Sequence, residues 1–243
     1  MILDIYKDAF EYSAKDWKTL IILGIFCLFS FLLIPAFLIT GYNYRVIKQA
    51  VNGVINGKDP LPEFDDLISM FVDGVKVVLV EIIYLLLPAV IFIIFVLIAG
   101  QLTGIFSSAL MLIGCLITFI VGILACLMVQ MGLCHMAYND GSLGKAFTLS
   151  ELKEVIDEIG WFECIITYIG LIIISIVLYM AVTAIIGIIF AVFGISSSIL
   201  GVDAGGIFLL GALINIAVTM FIVGPYLSLF NARSIGLLYS TQI

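Results

Sequence analysis

Few side chains in this sequence are equipped for chemistry, and several of them sit where charge is expensive. Glu81, Gln130 and Asn215 lie inside or at the edge of long apolar runs. A carboxyl group or an amide held out of water could bind a proton, a cation or a polar solute, and ionisable groups within a membrane span are functional suspects by default. Glu81 stands about 7 Å along a helix from Lys76, at ~1.5 Å per residue, so its carboxyl could instead reach water, Lys76 or Tyr84. Asn215, in the middle of the last run, fits an amide that bridges two helices. Glu163, just past Trp161, falls at headgroup depth.

A second group of acids, Asp59, Glu63, Asp65 and Asp66, crowds around Pro60 and Pro62. Such carboxylates could share Mg²⁺ or Ca²⁺, which take several oxygen ligands, although the spacing lacks the alternating pattern of a calcium loop. The structural alternative is an extended turn held by the prolines, with Asp65 or Asp66 capping a helix that begins near Leu67. His135, beside Cys134, is the single histidine and has no Asp or Glu close to it in sequence. There is no phosphate-cradling Gly-rich loop, no His-Glu-x-x-His and no Gly-x-Ser-x-Gly. No catalytic residue, cofactor or metal ligand is therefore assigned, and enzymatic activity is not expected.

The elements that must position these groups are written in the composition. Hydrophobic residues make up 64% of the chain and charged residues 11%, with a mean hydropathy of +1.32. Between Glu81 and Asp140 there is no Asp, Glu, Lys or Arg, and between Glu163 and Arg233 only Asp203 intervenes. A water-soluble surface needs charge to stay solvated, so these stretches face lipid. The runs are rich in Leu and Ile with no period-two alternation, which excludes an outer-membrane barrel. A net charge of −7 excludes a nucleic-acid partner, which needs a cationic face. Cys27, Cys115, Cys126, Cys134 and Cys164 lie in or beside apolar runs with no Cys-x-x-Cys pair and read as reduced structural thiols.

A span needs about 20 apolar residues. Thr19–Thr40, Val77–Gly100, Ser108–Met131, Phe162–Ile189 and Gly206–Phe230 qualify. The expected fold is an all-α, polytopic membrane bundle of five spans, the first of which contains Pro35. Lys and Arg collect on the cytoplasmic side, and the connections Gln101–Ser107 and Phe190–Gly205 hold none. Those connections are expected outside, with loops 43–76 and 133–161 and the C-terminus in the cytoplasm. A straight first span would strand Lys7, Lys15 and Lys18 outside. If Pro35 breaks that span into a hairpin, all ten cations share one side, and this reading is preferred. The single membrane domain, 1–243, then divides into an interfacial helix (1–17), a first span or hairpin (18–56) and an acidic loop (57–76). A hairpin (77–131), a second interfacial helix (132–161), a third hairpin (162–230) and a tail (231–243) follow.

The hairpin reading exposes a weak threefold pattern. Helix starts align loosely at Lys15–Lys18, Val72–Lys76 and Glu158–Trp161, and helix ends at Gly41, Gly132 and Gly224. Membrane helices in general finish in such residues at the headgroup level. Two stretches are amphipathic. Leu152, Val155, Ile156 and Ile159 form one stripe, behind a capping box at Thr148-Leu-Ser-Glu151; Ile2, Ile5, Tyr6, Ala9 and Phe10 form another. Interfacial helices of this kind lie with the apolar face down, but the acidic polar face of the second favours packing on the ends of the bundle. Gly187, Gly201, Gly205, Gly206 and Gly211 suit close helix packing.

The stretches Gly41-Tyr42-Asn43-Tyr44-Arg45-Val46-Ile47-Lys48, Pro60-Leu61-Pro62-Glu63-Phe64-Asp65-Asp66 and Phe71-Val72-Asp73-Gly74-Val75-Lys76 carry a resemblance. Together they resemble a family of archaeal and some bacterial multi-pass membrane proteins, common in methanogens and catalogued as a domain of unknown function. Leu67 departs from the Trp that the family pattern often has there. The resemblance implies a membrane location and no established activity. The expected function is a non-enzymatic structural, assembly or lipid-interacting module of the plasma membrane. Its expected partners are lipids and other membrane proteins or copies of itself. The alternative is a small-solute or ion transporter using Glu81 and Asn215, with the half-helix after Pro35 lining its site.

Overall fold

Every element is helical in the computed structural model, which describes residues 1–199, 201 and 204–242. The helices are α1 (Ile2–Ser13), α2 (Trp17–Leu28), α3 (Ile34–Ala50), α4 (Leu67–Ala99), α5 (Ile105–Tyr138), α6 (Leu149–Ile159), α7 (Trp161–Ile199), α8 (Gly205–Val218) and α9 (Gly224–Tyr239). A π turn over Thr219–Val223 joins α8 to α9, making one continuous rod. Among the described residues, α4, α5, α7 and this rod are long and apolar enough to cross a membrane, at 33, 34, 39 and 38 residues. Of the second connection expected outside, Leu200, Val202 and Asp203 lie beyond the described residues, and much of the rest prolongs α7.

The first apolar run is not among those spans. Asp16 caps α2 by accepting hydrogen bonds from the Lys18 and Thr19 amides at 3.0 and 3.2 Å, and the helix stops after only 12 residues. A short 3₁₀ turn and Leu33, whose φ is +63°, reverse the chain into α3. Pro35 sits in the first turn of α3, where its missing N–H costs nothing. At ~1.5 Å per residue, α2 and the 17-residue α3 reach roughly 18 and 26 Å, short of the ~30 Å of a bilayer core. A straight first span is thereby replaced by the broken hairpin.

Two backbones touch where α3 crosses α4. A Cβ on Gly41 would overlap the Met70 carbonyl oxygen, and one on Gly74 would overlap that of Phe37. The rings of Phe37 and Phe71 meet edge to face beside the crossing, at 5.3 Å. Gly41, Gly132 and Gly224 thus do not end helices as the threefold pattern required. Gly41 and Gly132 are interior to α3 and α5, and Gly224 continues the rod out of its π turn.

Buried side chains gather at one end of the bundle, here called the platform. It joins α1, α3, α6 and α9 to the first turns of α4 and α7 and the last turns of α5. The stripe of α1 packs on α9, with Phe10 stacked 4.4 Å from Phe230 and the Tyr226 hydroxyl donating to the Phe10 carbonyl at 3.1 Å. Leu152, Val155, Ile156 and Ile159 of α6 are buried against protein. Both amphipathic helices therefore spend their apolar faces on the bundle. Thr148 makes no capping bond; its hydroxyl donates to the Lys145 carbonyl at 2.8 Å, so the capping box does not form. Nor do residues 231–242 trail as a tail, because α9 runs through Tyr239 with Leu237, Leu238 and Tyr239 buried.

Beyond the platform, α4 with α5 and α7 with α8 extend as two apolar arms. Leu97, Phe119, Ile188 and Leu209 are 63–66% exposed there, as lipid-facing residues are. Within the second arm Gly194 packs on Phe208 and Gly211 on Phe190, whereas Gly187, Gly201 and Gly206 face open space. Since the α3–α4 crossing has no room for a side chain, Gly41→Val or Gly74→Val is expected to cost about 1–3 kcal/mol. The measurement is the detergent melting temperature, with Gly187→Val as a neutral control.

Candidate functional site

The Gly41–Gly74 crossing brings the polar faces of two helices together. Two turns beyond Gly74, Glu81 follows on the same side of α4, flanked by Val77 and Leu85; one turn beyond Gly41 come Asn43 and Tyr44. From α5, Gln130 and Cys126 enter at helical spacing, and from α9 so do Ser228, Asn231 and Ile235. Tyr168 of α7 closes the remaining side. These residues surround a cavity of about 340 Å³.

Two of the three intramembrane polar residues singled out in the sequence, Glu81 and Gln130, thus share one cavity wall, which α3 also lines. Asn215 does not belong to it. Its amide donates to the Thr183 carbonyl of α7 at 3.4 Å and its oxygen accepts from Thr219, which is the interhelical bridge read from the sequence.

The groups thought to satisfy Glu81 are committed elsewhere. The Lys76 ammonium donates to the Gly141 carbonyl at 3.0 Å and stands 3.8 Å from Asp73, while the Tyr84 hydroxyl donates to the Ala146 carbonyl at 2.7 Å. Among the described residues Glu81 makes neither a hydrogen bond nor an ion pair. The Asn43 side-chain oxygen and the Tyr44 hydroxyl are buried without a hydrogen-bond partner. Asn231 has only a long 3.5 Å contact with Ser175. A buried polar atom left alone costs free energy comparable to a lost hydrogen bond, so the unpartnered polar groups of Glu81 and Asn43 make this cavity the candidate site.

The acidic loop is used differently. Arg45 lies against it, donating to the carbonyls of Glu63, Asp65 and Asp66 at 3.1, 2.8 and 3.0 Å and to the Asp65 carboxylate at 2.6 Å. Tyr42 donates to the Pro62 carbonyl at 2.7 Å and stacks on Phe64; Gln49 donates to that of Pro60 at 2.9 Å. Asp66 caps α4 through the Ser69 amide, at 3.2 Å, as its position implied. Asp59 turns away to Arg233. The acids do not converge, and no cluster of three His, Cys, Asp or Glu suited to a metal occurs among the described residues.

Two constellations were invisible in the sequence. Arg233, expected in the C-terminal tail, is fully buried. Its Nε donates to Asp8 at 2.9 Å. Its Nη2 lies 2.8 Å from Asp59 Oδ2, an ion pair outside hydrogen-bond alignment, and the Tyr12 ring covers its guanidinium at 4.7 Å. The signal was a lone arginine closing a long stretch that holds only one other charge, Asp203.

His135, read as having no acidic neighbour, lies between the Tyr239 hydroxyl (2.6 Å) and Glu151 (2.8 Å), and Glu151 also takes Lys145 at 2.7 Å. The Lys145 bond first, and then that of His135, holds the Glu151 carboxyl below the usual carboxylate range. This contribution to stability is complete above the ordinary carboxylate value and lost as pH falls through the depressed one. The Tyr–His–Glu order resembles a proton relay, but Tyr239 is fully buried, so the set ties α6 to α5 and α9.

A family model described as a protein of unknown function, DUF4013, matches residues 28–187, well over half of the chain. The chain belongs to the DUF4013 family. No curated protein and no solved structure matches it. The DUF4013 match takes in α3 to α6 and most of α7. It therefore includes the Gly41–Gly74 crossing, the Arg45 clasp and the cavity residues Asn43, Glu81, Gln130 and Tyr168. Ser228, Asn231 and Arg233 come from beyond the matched DUF4013 segment.

Removing one partner of a buried ion pair costs about 3–5 kcal/mol, because the other charge is left uncompensated. Arg233→Met is expected to lower stability on that scale, read by thermal unfolding in detergent. Adding Asp8→Leu should recover part of the loss.

Proposed function

We propose that this chain is a non-enzymatic, multi-pass protein of the plasma membrane that serves as a structural or assembly module. The observation that carries this reading is the division between a polar, ion-paired platform and two arms whose apolar surface is left to lipid or to neighbouring membrane proteins. At the platform the charged groups are committed to holding elements together: Arg45 to the acidic loop, Arg233 to α1, and His135 with Glu151 to α6. Lys15, Arg45, Lys76, Lys145 and Arg233 make their contacts at that end. The bias of cations towards the cytoplasm supports a cytoplasmic platform, with loops 43–76 and 133–161 on that side. In a cysteine-free background, Gln101→Cys is then expected to react with an impermeant maleimide on intact cells and Lys58→Cys only after lysis; the opposite pattern inverts the orientation.

A second reading, passage of a small solute or ion, draws on the cavity beside Glu81. Its polar residues lie on helices that include α3, the second half of the hairpin broken before Pro35, and discontinuous helices of this kind line transporter binding sites. Asn215 has no part in it. Native mass spectrometry after extraction into nanodiscs is expected to find a second membrane subunit, a further copy or lipid retained on the chain. A bare monomer whose proteoliposomes carry solute, with flux lost in Glu81→Gln, would overturn the module in favour of passage.

A further inference from the structure

The residues lining the cavity include one carboxyl group, Glu81, and no Lys, Arg or His. An anionic ligand would meet that carboxylate with nothing to balance it. With a neutral ligand an unpaired Glu81 must either stay charged without a counter-ion or take up a proton, whereas a cation lets it keep its charge. The complementary occupant is a monocation.

Size and wall chemistry distinguish kinds of cation. At about 340 Å³ the space falls within the ~300–1,000 Å³ of small-molecule sites and far exceeds what a bare ion fills. Val77, Leu85, Val129, Leu133 and Ile235 make much of the wall apolar, suiting a hydrocarbon body. The polar groups suit a donor head. The Glu81 carboxylate and the oxygens of Asn43 and Gln130 can accept the three N–H bonds of an ammonium group. Tyr44 and Tyr168 also line the cavity.

We propose that the cavity between α3, α4, α5, α7 and α9 binds a small organic monocation, a protonated amine with an apolar body, whose ammonium pairs with Glu81 beside Asn43 and Gln130. This deepens the solute reading of the same cavity and rests on it only for binding. A site that binds amine without carrying it across proteoliposomes refutes passage and leaves the site intact.

Benzylamine, protonated at neutral pH, is the probe, with benzyl alcohol as its uncharged counterpart and potassium chloride as the bare cation. The purified full chain in detergent is expected to melt at higher temperature in millimolar benzylamine and to be unmoved by the other two. Loss of a charge-assisted hydrogen bond should weaken binding by about tenfold or more in Glu81→Gln. A second measurement needs no variant: dicyclohexylcarbodiimide modification of Glu81, located by peptide mass spectrometry, should slow severalfold with benzylamine and not with benzyl alcohol. No response to benzylamine, an equal response to benzyl alcohol or to potassium, undiminished binding by a folded Glu81→Gln, or carbodiimide labelling indifferent to amine would each overturn the proposal.

Discussion

Two helix backbones can rest against one another only where neither carries a side chain at the point of contact, and Gly41 and Gly74 provide that point. Lipid does not drive helices together as water does, so close packing must supply much of the attraction. The need is acute for α3, which is too short to be held by spanning the bilayer. Pressed onto α4, it sets the frame for much of the platform. Arg45 comes within reach of the loop that precedes α4, Tyr42 of Pro62 and Phe64, and Asn43 and Tyr44 of the cavity edge opposite Glu81. On its other side α3 receives α9, with Gly236 against Ala50.

Electrostatics then sorts the polar groups into two populations. At the platform several charges are held in pairs, and some residues serve twice: Asp59 accepts from Lys15 through its carbonyl while its carboxylate meets Arg233. Buried pairs of this kind add less to stability than their distances suggest, since desolvation offsets much of the attraction. Their effect is to make wrong arrangements costly, because any misdocked helix leaves a charge alone. Around the cavity the pattern differs: among the described residues Glu81 has no partner, and the Asn43 oxygen and the Tyr44 hydroxyl make no hydrogen bond.

What could be read in advance follows from the range of each interaction. The four long helices were legible because lipid imposes a run of some 20 apolar residues, a purely local demand. So were the break at Pro35, the cap at Asp66 and the stripes of α1 and α6, each set within a turn or two of helix. Glu81 and Gln130 were visible as polar residues at membrane depth, but not as neighbours, since periodicity places a residue on a face without saying which helix that face meets. Asn215 carried the same signal and faces α7 instead. His135 lacked an acid nearby in sequence and found Glu151 on the next helix; Arg233 looked like a tail residue because its partners lie near the other end of the sequence. Gly41 was misread as a helix end because the same residue serves chain reversal and close crossing.

The pairing of Asp8 with Arg233 has a consequence for biogenesis. These residues are 225 positions apart, so α1 is made long before its partner on α9. Until α9 is inserted, Asp8 lacks Arg233 and Phe10 lacks Phe230, the ring it stacks on. The clasp therefore closes late: α1 takes its place against α9 only once that helix has entered with Arg233 at the platform end, so the docking of an early helix depends on the orientation of a later one.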